Sequence, residues 1–432
     1  MNSTISNLKE RGFFSQCTST EGLSAAMDKG QVTFYIGVDP TGPSLHIGHM
    51  VPFFALSHMV HAGHRGICLI GEGTARIGDP SGKTEMRKIL SYETLDKNAA
   101  LISGQLNCFL ANTAKADAAA IEQAALANAS AQKKGGEHIY ANNKDWLANL
   151  NYIDFLREIG SHFSVNRMLS FESYKKRLET GLSFLEFNYQ LLQSFDFLEL
   201  YRRYGNTLQI GGDDQWGNIV SGVDLIRRIE GVETFGMTFP LVTTSDGKKM
   251  GKTEKGALFL DPSVTSPYEF FQYWRNVQDA DVKRFLLMFT FLSASECESL
   301  CAAGKNPNEA KERLAWEVTA LIHGKGEADK ALSGAKAAFA GGNDRDAMPT
   351  AALSRAKFEA GYNITDLFTD AGLAATKSEA RRLVEQGGAF VGNESITDVK
   401  AVIGLDALDS AGELVLRAGK KRYCRVVTRD NL

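Results

Sequence analysis

Val32-Thr33-Phe34-Tyr35-Ile36-Gly37-Val38, then Asp39-Pro40-Thr41-Gly42-Pro43-Ser44, then Leu45-His46-Ile47-Gly48-His49, carry more of the fold than any other stretch of this 432-residue chain. The first seven residues are mostly β-branched, aromatic or apolar and read as a buried strand. Asp, Pro and Gly then make a tight turn, and a helix start follows. Strand candidates recur at Gly66–Ile70 and Thr207–Ile210, each stopped by glycines or a turn and followed by helical periodicity. That alternation predicts an α/β domain with a parallel sheet. Ligands of such sheets bind beyond the carboxyl ends of the strands, where His46 and His49 fall.

The length predicts two or three domains. Hydrophobic residues make up 44% of the chain, enough for sizeable cores. A net charge of -3 argues against a wholly basic coat, though a local basic face fits within it. Cys17, Cys68, Cys108, Cys297, Cys301 and Cys424 are scattered, and no zinc-ligand pattern forms around the one close pair. Reduced thiols in a soluble cytoplasmic protein are expected. The polar start reads as no signal peptide, and no apolar run reaches membrane-spanning length, so no membrane partner is expected.

His46 and His49 lie three apart and share a face at a helix N-terminus. Free backbone N–H groups there suit a polyphosphate, and Gly48 leaves room for a flat base or ribose. Two histidines at this spacing are more often ordinary surface residues; the strand and turn before them lower that reading. Some two hundred residues on, Asp246-Gly247-Lys248-Lys249-Met250-Gly251-Lys252-Thr253 is a glycine- and lysine-rich loop, a second set of donors for a triphosphate. Gly78-Asp79-Pro80-Ser81-Gly82-Lys83-Thr84 misses the phosphate-loop spacing by one residue, and Gly71-Glu72-Gly73-Thr74-Ala75-Arg76 has Arg where a dinucleotide fingerprint needs Gly. Lys83 and Arg87 remain as flexible charges.

Gly211-Gly212-Asp213-Asp214-Gln215-Trp216 follows a strand, so the backbone is open to close approach and a carboxylate is at hand for hydroxyl or ammonium groups; an ordinary Asp-capped turn is the plainer reading. Tyr189, Gln193 and Asp196 make one polar line along an apolar helix, Phe184 to Leu200. They meet either a polar ligand or one another. Residues 111–134 are rich in Ala with charged and amide residues, and read as an exposed helical insertion. Residues 265–340 read as helices. Gly341-Gly342-Asn343-Asp344 and Pro349 mark a linker, and a small α/β module follows from about residue 361.

These residues together resemble the bacterial tyrosyl-tRNA synthetases, of the class I aminoacyl-tRNA synthetases. His46-Ile47-Gly48-His49 matches the first class I motif intact. Lys249-Met250-Gly251-Lys252-Thr253 matches the second with Gly and Thr replacing two serines. Phe34 to Thr41, Phe187 to Asp196 and Gln209 to Asn218 resemble the family's first strand, tyrosine-pocket helix and ribose loop. Residues 364–398 resemble an S4-type RNA-binding domain.

The resemblance implies a Rossmann-like catalytic domain over 1–245 and a second-motif loop with an anticodon-side helical domain over 246–340. A linker at 341–360 and an S4-like domain at 361–432 would follow. It implies that tyrosine and ATP form tyrosyl-adenylate and that the tyrosyl group passes to tRNA, Mg²⁺ travelling with ATP and no metal being held by the protein. Tyr35 and Asp196 would bond the substrate phenol. Asp79, Tyr189 and Gln193 would hold its ammonium group, with Gly37, Asp39 and Gln215 completing the pocket. His46, Gly48 and His49 would meet the ATP phosphates, with Thr41 beside them. Gly212 and Asp214 would sit at the ribose. Lys249, Lys252 and Thr253 would close on pyrophosphate, assisted by Lys83 and Arg87. Lys377, Arg381, Arg382, Lys420, Lys421 and Arg422 would face RNA, and a homodimer is implied. A non-catalytic RNA-binding protein and a small nucleotidyltransferase stand as the other readings. The four intact motif residues oppose the first, and the helical region and basic tail oppose the second. Tryptophan specificity fits Tyr35 and Asp196 less well than a phenol does.

Overall fold

The computed structural model describes residues 1–81, 90–127, 136–245, 247, 250–253, 256–339, 349–392, 394–409, 411–419 and 422–429. They group into two compact units, Met1–Thr265 with Arg275–His323, and Ser266–Trp274 with Gly324–Leu432.

The first unit is built on five strands: β1 (Thr33–Val38), β2 (Arg65–Ile70), β3 (His138–Asn142), β4 (Leu208–Gly212) and β5 (Phe235–Phe239). Their order is β3-β2-β1-β4-β5, and every neighbouring pair is parallel. The chain steps outward from β1 to β3, then returns to β4 on the other side. The strand order thus reverses at β1, and a crevice opens between the carboxyl ends of β1 and β4. The three expected strands are present to within a residue or two. β3 and β5 were not foreseen, because His138-Ile139-Tyr140-Ala141-Asn142 has polar ends and Phe235-Gly236-Met237-Thr238-Phe239 is interrupted by glycine.

Helices α1 (Ser3–Glu10) and α2 (Thr20–Lys29) precede the sheet, α3 (Ile47–His61) joins β1 to β2, and α4 (Tyr92–Ala127) joins β2 to β3. Between β3 and β4 run α5 (Lys144–Leu147), α6 (Tyr152–Glu158), α7 (Val165–Ser170), α8 (Glu172–Thr180) and α9 (Phe184–Tyr204); α10 (Trp216–Glu230) joins β4 to β5. At the start of α9 the Ser183 hydroxyl accepts from Glu186 N–H at 3.2 Å, and Glu186 accepts from Ser183 N–H at 3.1 Å. This reciprocal cap starts the helix in register. Gly205 ends it with φ +66°, a left-handed conformation suited to glycine.

The stretch expected as an exposed helical insertion is helical as far as Ala127 and exposed at Ala111, Ala114 and Lys115. Ala111 to Ala127 simply extends α4. Its beginning is packed: Thr113 is buried, and Asn112 Nδ2 donates to Leu321 O at 3.1 Å. Residues 128–134 lie outside the described residues.

A short antiparallel pair, β6 (Lys252–Thr253) and β7 (Gly256–Ala257), follows β5. α11 (Pro267–Arg275) falls almost wholly in the second unit, whereas α12 (Asp279–Phe289), α13 (Ala294–Leu300) and α14 (Pro307–His323) belong to the first. Arg11 explains the latter grouping: its guanidinium donates to Leu287 O, Thr290 O and Leu292 O, tying α1 to the end of α12. The expected break at 245/246 is therefore not where the packing divides.

The second unit contains α15 (Lys325–Phe339), β8 (Thr350–Ser354), α16 (Arg355–Glu359), β9 (Tyr362–Asn363), α17 (Ile364–Asp370) and α18 (Lys377–Glu385). It continues with β10 (Ala389–Val391), β11 (Glu394–Ile396), β12 (Val402–Ile403), β13 (Glu413–Ala418) and β14 (Arg422–Arg429). Five strands form a mixed sheet, β11-β10-β13-β14-β8, over a core that includes Leu414, Leu416, Val426, Leu367 and Phe368. β8 pairs in parallel with β14. The sheet thus begins inside the stretch expected as a 341–360 linker. Glycine and proline at 341–349 marked the boundary, but the strand after Pro349 is too short and too alanine-rich to read from pattern.

Candidate active site

A cavity of about 500 Å³ opens at the carboxyl ends of β1 and β4. Tyr35, Gly37, Asp39 and Thr41 line it from β1 and its turn, and His46, Gly48 and His49 from the start of α3. Tyr189, Gln193 and Asp196 enter from α9, Asp79 from the segment after β2, and Gly212, Asp214 and Gln215 from the end of β4. The polar line read on α9 is thus one wall of this cavity. Lys83, Arg87 and Lys249 lie outside the described residues; of Lys252 and Thr253 the backbone is described, as β6.

At the deep end, Asp196 is buried and both of its oxygens are bonded. Trp146 Nε1 donates to Oδ1 at 2.8 Å, and Asn143 Nδ2 donates to Oδ2 at 2.9 Å. Burial pushes its pKa up to about 8, against these two donors, which favour the ionised form. Tyr35 stands beside it, packed on Phe197 with ring centroids 5.4 Å apart. The Tyr35 hydroxyl is buried and has no hydrogen-bond partner among the described residues. A buried orphan hydroxyl costs on the order of 1–3 kcal/mol. Here it borders a cavity that a polar ligand group would fill.

The middle of the cavity is a connected network. Tyr189 OH donates to Asp39 Oδ2 at 2.9 Å, and Thr74 Oγ1 donates to Asp39 Oδ1 at 2.8 Å. Asn143 Nδ2 reaches Thr74 Oγ1 at 2.9 Å, and Asn143 Oδ1 accepts from Gly73 N–H at 2.7 Å. Gln215 Nε2 donates to Asp79 Oδ2 at 2.7 Å, and Asn218 Nδ2 donates to Gln193 Oε1 at 3.0 Å. Burial, then the neighbouring Asp39 and Asp79 carboxylates, raise the Tyr189 phenol well above its usual range, so it stays a donor. The network presents carboxylates that suit a small cation such as an ammonium group.

The shallow end is the N-terminus of α3. His46 is its N-cap: its Nδ1 accepts from Gly48 N–H at 3.1 Å, and His49 Nδ1 accepts from His46 N–H at 3.3 Å. The rings stack with centroids 3.7 Å apart. A neutral imidazole that accepts at Nδ1 carries its proton on Nε2. Each ring is therefore held as an Nε2 donor at a helix N-terminus, where the dipole favours anions. A Cβ at Gly48 would lie 3.0 Å from His46 Cε1, so glycine there also makes room for that ring.

The loop carrying the second motif returns to the same place. Ile47 N–H donates to Leu258 O at 3.0 Å, and Leu260 N–H donates to Leu45 O at 2.9 Å. Met250 is buried, and Gly251 has φ +79°, where a Cβ would collide with Ile47 Cγ2. Leu258 N–H in turn donates to Gly251 O at 2.8 Å, so the two motifs, distant in sequence, are linked through Leu258.

Four residues of this site escaped the sequence: Thr74, Asn143, Trp146 and Asn218. The available signal was the pair Asn142-Asn143 after a strand-like run, legible only once β3 is recognised. Asp213, by contrast, is structural, accepting from Ser15 Oγ at 2.9 Å and from Thr238 Oγ1. In the second unit, Lys377, Arg381 and Arg382 are exposed on α18. Lys377 pairs with Asp366 at 2.6 Å and Arg422 with Glu379 at 3.6 Å, so part of the expected basic face already has acidic neighbours. Such exposed pairs contribute little to stability. Lys420 and Lys421 lie outside the described residues.

The family model for class I tRNA synthetases (W and Y) matches residues 27–340, and the model for the tyrosine–tRNA ligase SYY-like C-terminal domain matches residues 343–426. The chain is 63% identical over 427 residues to a tyrosine–tRNA ligase of Treponema denticola, covering 99% of this chain and 100% of that one. A tyrosine–tRNA ligase of Treponema pallidum is 58% identical over 429 residues, 99% of each chain. The crystal structure of a C-terminally truncated mitochondrial tyrosyl-tRNA synthetase from Aspergillus nidulans matches at 30% identity with a TM-score of 0.67, over 78% of this chain and 94% of that one. With a switch-point cavity capped by stacked histidines, a second-motif loop docked beside it and these relatives along its whole length, the chain belongs to the class I tRNA synthetases (W and Y).

Proposed function

We propose that the chain is a tyrosine–tRNA ligase. The carrying observation is the buried, unpartnered Tyr35 hydroxyl beside Asp196 at the closed end of a cavity whose open end is a helix N-terminus. A phenol completes that pair: Tyr35 OH donates to the substrate oxygen, and the substrate hydroxyl donates to Asp196. Asp79, Tyr189 and Gln193, with Asp39, Gly37 and Gln215 around them, hold the ammonium end. The substrate carboxylate then lies toward the histidines.

ATP enters with its ribose at Gly212 and Asp214, and Mg²⁺ brought with it would supply charge neutralisation for the phosphates. A carboxylate oxygen attacks the α-phosphorus, the bond to the β-phosphate breaks, and pyrophosphate leaves. His46 and His49 stabilise the charge that builds on the phosphates, with Thr41 alongside and Gly48 keeping the His46 ring in place. Lys249, Lys252, Thr253, Lys83 and Arg87 are the further phosphate donors. A hydroxyl at the 3′ end of the tRNA then attacks the acyl carbon and AMP departs. No protein nucleophile is required, so catalysis is positioning and charge stabilisation. Lys377, Arg381, Arg382, Lys420, Lys421 and Arg422 contribute the RNA-facing charge of the second unit. The reaction belongs in the cytoplasm. Among the described residues no helix is long and apolar enough to cross a membrane.

The test is ATP–pyrophosphate exchange with tyrosine, phenylalanine and tryptophan compared. Exchange with tyrosine alone is expected, and exchange driven equally by tryptophan would overturn the assignment. A homodimer is part of the same proposal. Tyr152, Ile153, Val165, Leu178 and Phe184 are large apolar side chains at least half exposed within 152–184. We take these side chains as the face that a second copy covers. Sedimentation should give twice the chain mass, and Ile153→Asp with Phe184→Asp should halve it; a monomeric wild type removes this part.

A further inference from the structure

The sheet of the second unit has one face that the function described so far does not use. Alternation along the strands sends Leu414, Leu416, Ala418, Cys424 and Val426 into the core. It sends Phe390, Arg417 and Tyr423 to the opposite face. These three are in register on adjacent strands: Phe390 opposite Arg417, and Arg417 opposite Tyr423. All three are half-buried.

The Arg417 guanidinium lies over the Phe390 ring, 3.6 Å from its centroid, and makes no ion pair with a described residue. Arg425, on the same face, is neutralised by Glu413. Arg429 is exposed at its edge. The result is a planar cation close over a ring, with an aromatic neighbour and surplus positive charge. A guanidinium stacked on one side offers its other side to a second flat group. Anionic, flat-faced partners are unpaired nucleotides, whose bases stack on aromatic and guanidinium planes while their phosphates meet the cation. Duplex RNA keeps its bases stacked internally and cannot use such a surface.

We propose that Phe390, Arg417 and Tyr423 form a stacking platform for unpaired nucleotides of the tRNA, separate from the basic residues on α18. This rests on the ligase reading above, and the test keeps the two apart. Full-length protein is assayed for tyrosine-dependent pyrophosphate exchange, which needs no tRNA, and for aminoacylation across tRNA concentrations. Arg417→Ala is expected to leave exchange unchanged and to raise KM for tRNA by roughly tenfold, the scale of losing one base stack. Arg417→Lys keeps the charge but not the plane, so it should retain most of that defect. Phe390→Leu should show a similar loss. Should it misfold, the two surface Arg417 variants decide the matter alone. An unchanged KM in Arg417→Ala overturns the platform, as does full recovery in Arg417→Lys, which would mean a simple phosphate contact. Absent exchange in the wild type would strike the ligase reading instead; the platform is then judged by filter retention of single-stranded against duplex RNA by the same variants, with equal retention of both refuting it.

Discussion

Asp196 sits where burial and hydrogen bonding pull in opposite directions. Burial raises its pKa to about 8, while Asn143 and Trp146 hold both oxygens as acceptors. The folded protein keeps a proton there that the unfolded chain releases above 3.8, so this group costs stability as pH rises toward 8. The ionised form is the better acceptor for a phenol. The kcat/KM for tyrosine in exchange should therefore rise as pH passes through about 8. Asp196→Asn should remove that rise and weaken tyrosine binding by about 1.5–3 kcal/mol, the worth of a hydrogen bond to a charged group. A variant with the same pH profile as the parent would show that another group sets it. Discrimination against phenylalanine should fall too, because a site built for a hydroxyl leaves its polar groups unpaired without one, a rule for which this family is itself the standard example. Gly251 is the second informative residue. Any side chain there strains left-handed backbone by ~1–2 kcal/mol and meets Ile47. Gly251→Ala should slow exchange severalfold with little change in melting temperature, because the loss is confined to the loop. Combined with Ile47→Ala, the two should cost less than their sum; strict additivity would show that Ile47 is not the obstacle.

At the scale of elements, the start of α3 does two jobs with the same atoms. The Nδ1 atoms cap the helix, and that use leaves Nε2 as the proton-bearing atom of each ring. Asn in place of His49 should preserve folding but cost about 3 kcal/mol of transition-state stabilisation, near a hundredfold in kcat for exchange. The KM for tyrosine should be nearly unchanged, since the tyrosine end is built by β1, α9 and the segments that follow β2, β3 and β4. A rise in that KM with kcat intact would make His49 a binding residue rather than a transition-state donor. The hairpin of β6 and β7 and the strand-like return at Leu258–Leu260 explain how the second motif is delivered: Leu258 and Leu260 bond the backbone of Ile47 and Leu45, and Leu258 also bonds Gly251.

At the scale of the whole molecule, the helices after residue 275 are an integral layer of the first unit. His58 and His61 pack on Phe291, each with ring centroids 4.6 Å away. Burial, then the Arg11 charge, lowers His61 to about 4 and His58 well below its usual 6.5. Both are neutral when folded, while the unfolded chain takes up protons below 6.5. Stability should therefore be fully present above that value and fall as pH drops toward 4. Urea denaturation at pH 7 and pH 4.5 reads the difference, and His61→Phe should make the slope shallower. An equal slope in both proteins would assign the acid sensitivity to carboxylates.

Much of this was written in local pattern. The strand, turn and helix from Val32 to His49 needed only residue types and order. The polar line on α9 needed only helical spacing, which is why Tyr189, Gln193 and Asp196 were legible as a group. Asn143 and Trp146 were not, because nothing near them in sequence says that β3 lies two strands from β1, or that Asp196 descends beside it. Nor does pattern reveal that residues 275–323 pack with the sheet while Thr350–Ser354 closes another one. Local sequence determined the elements and the chemistry they carry, since propensity and periodicity act over a few residues. Only the tertiary structure decided which buried polar groups satisfy each other and which, like the Tyr35 hydroxyl, have no partner among the described residues. Hydrogen-bond satisfaction across the cavity depends on atoms brought together from five separate stretches of chain.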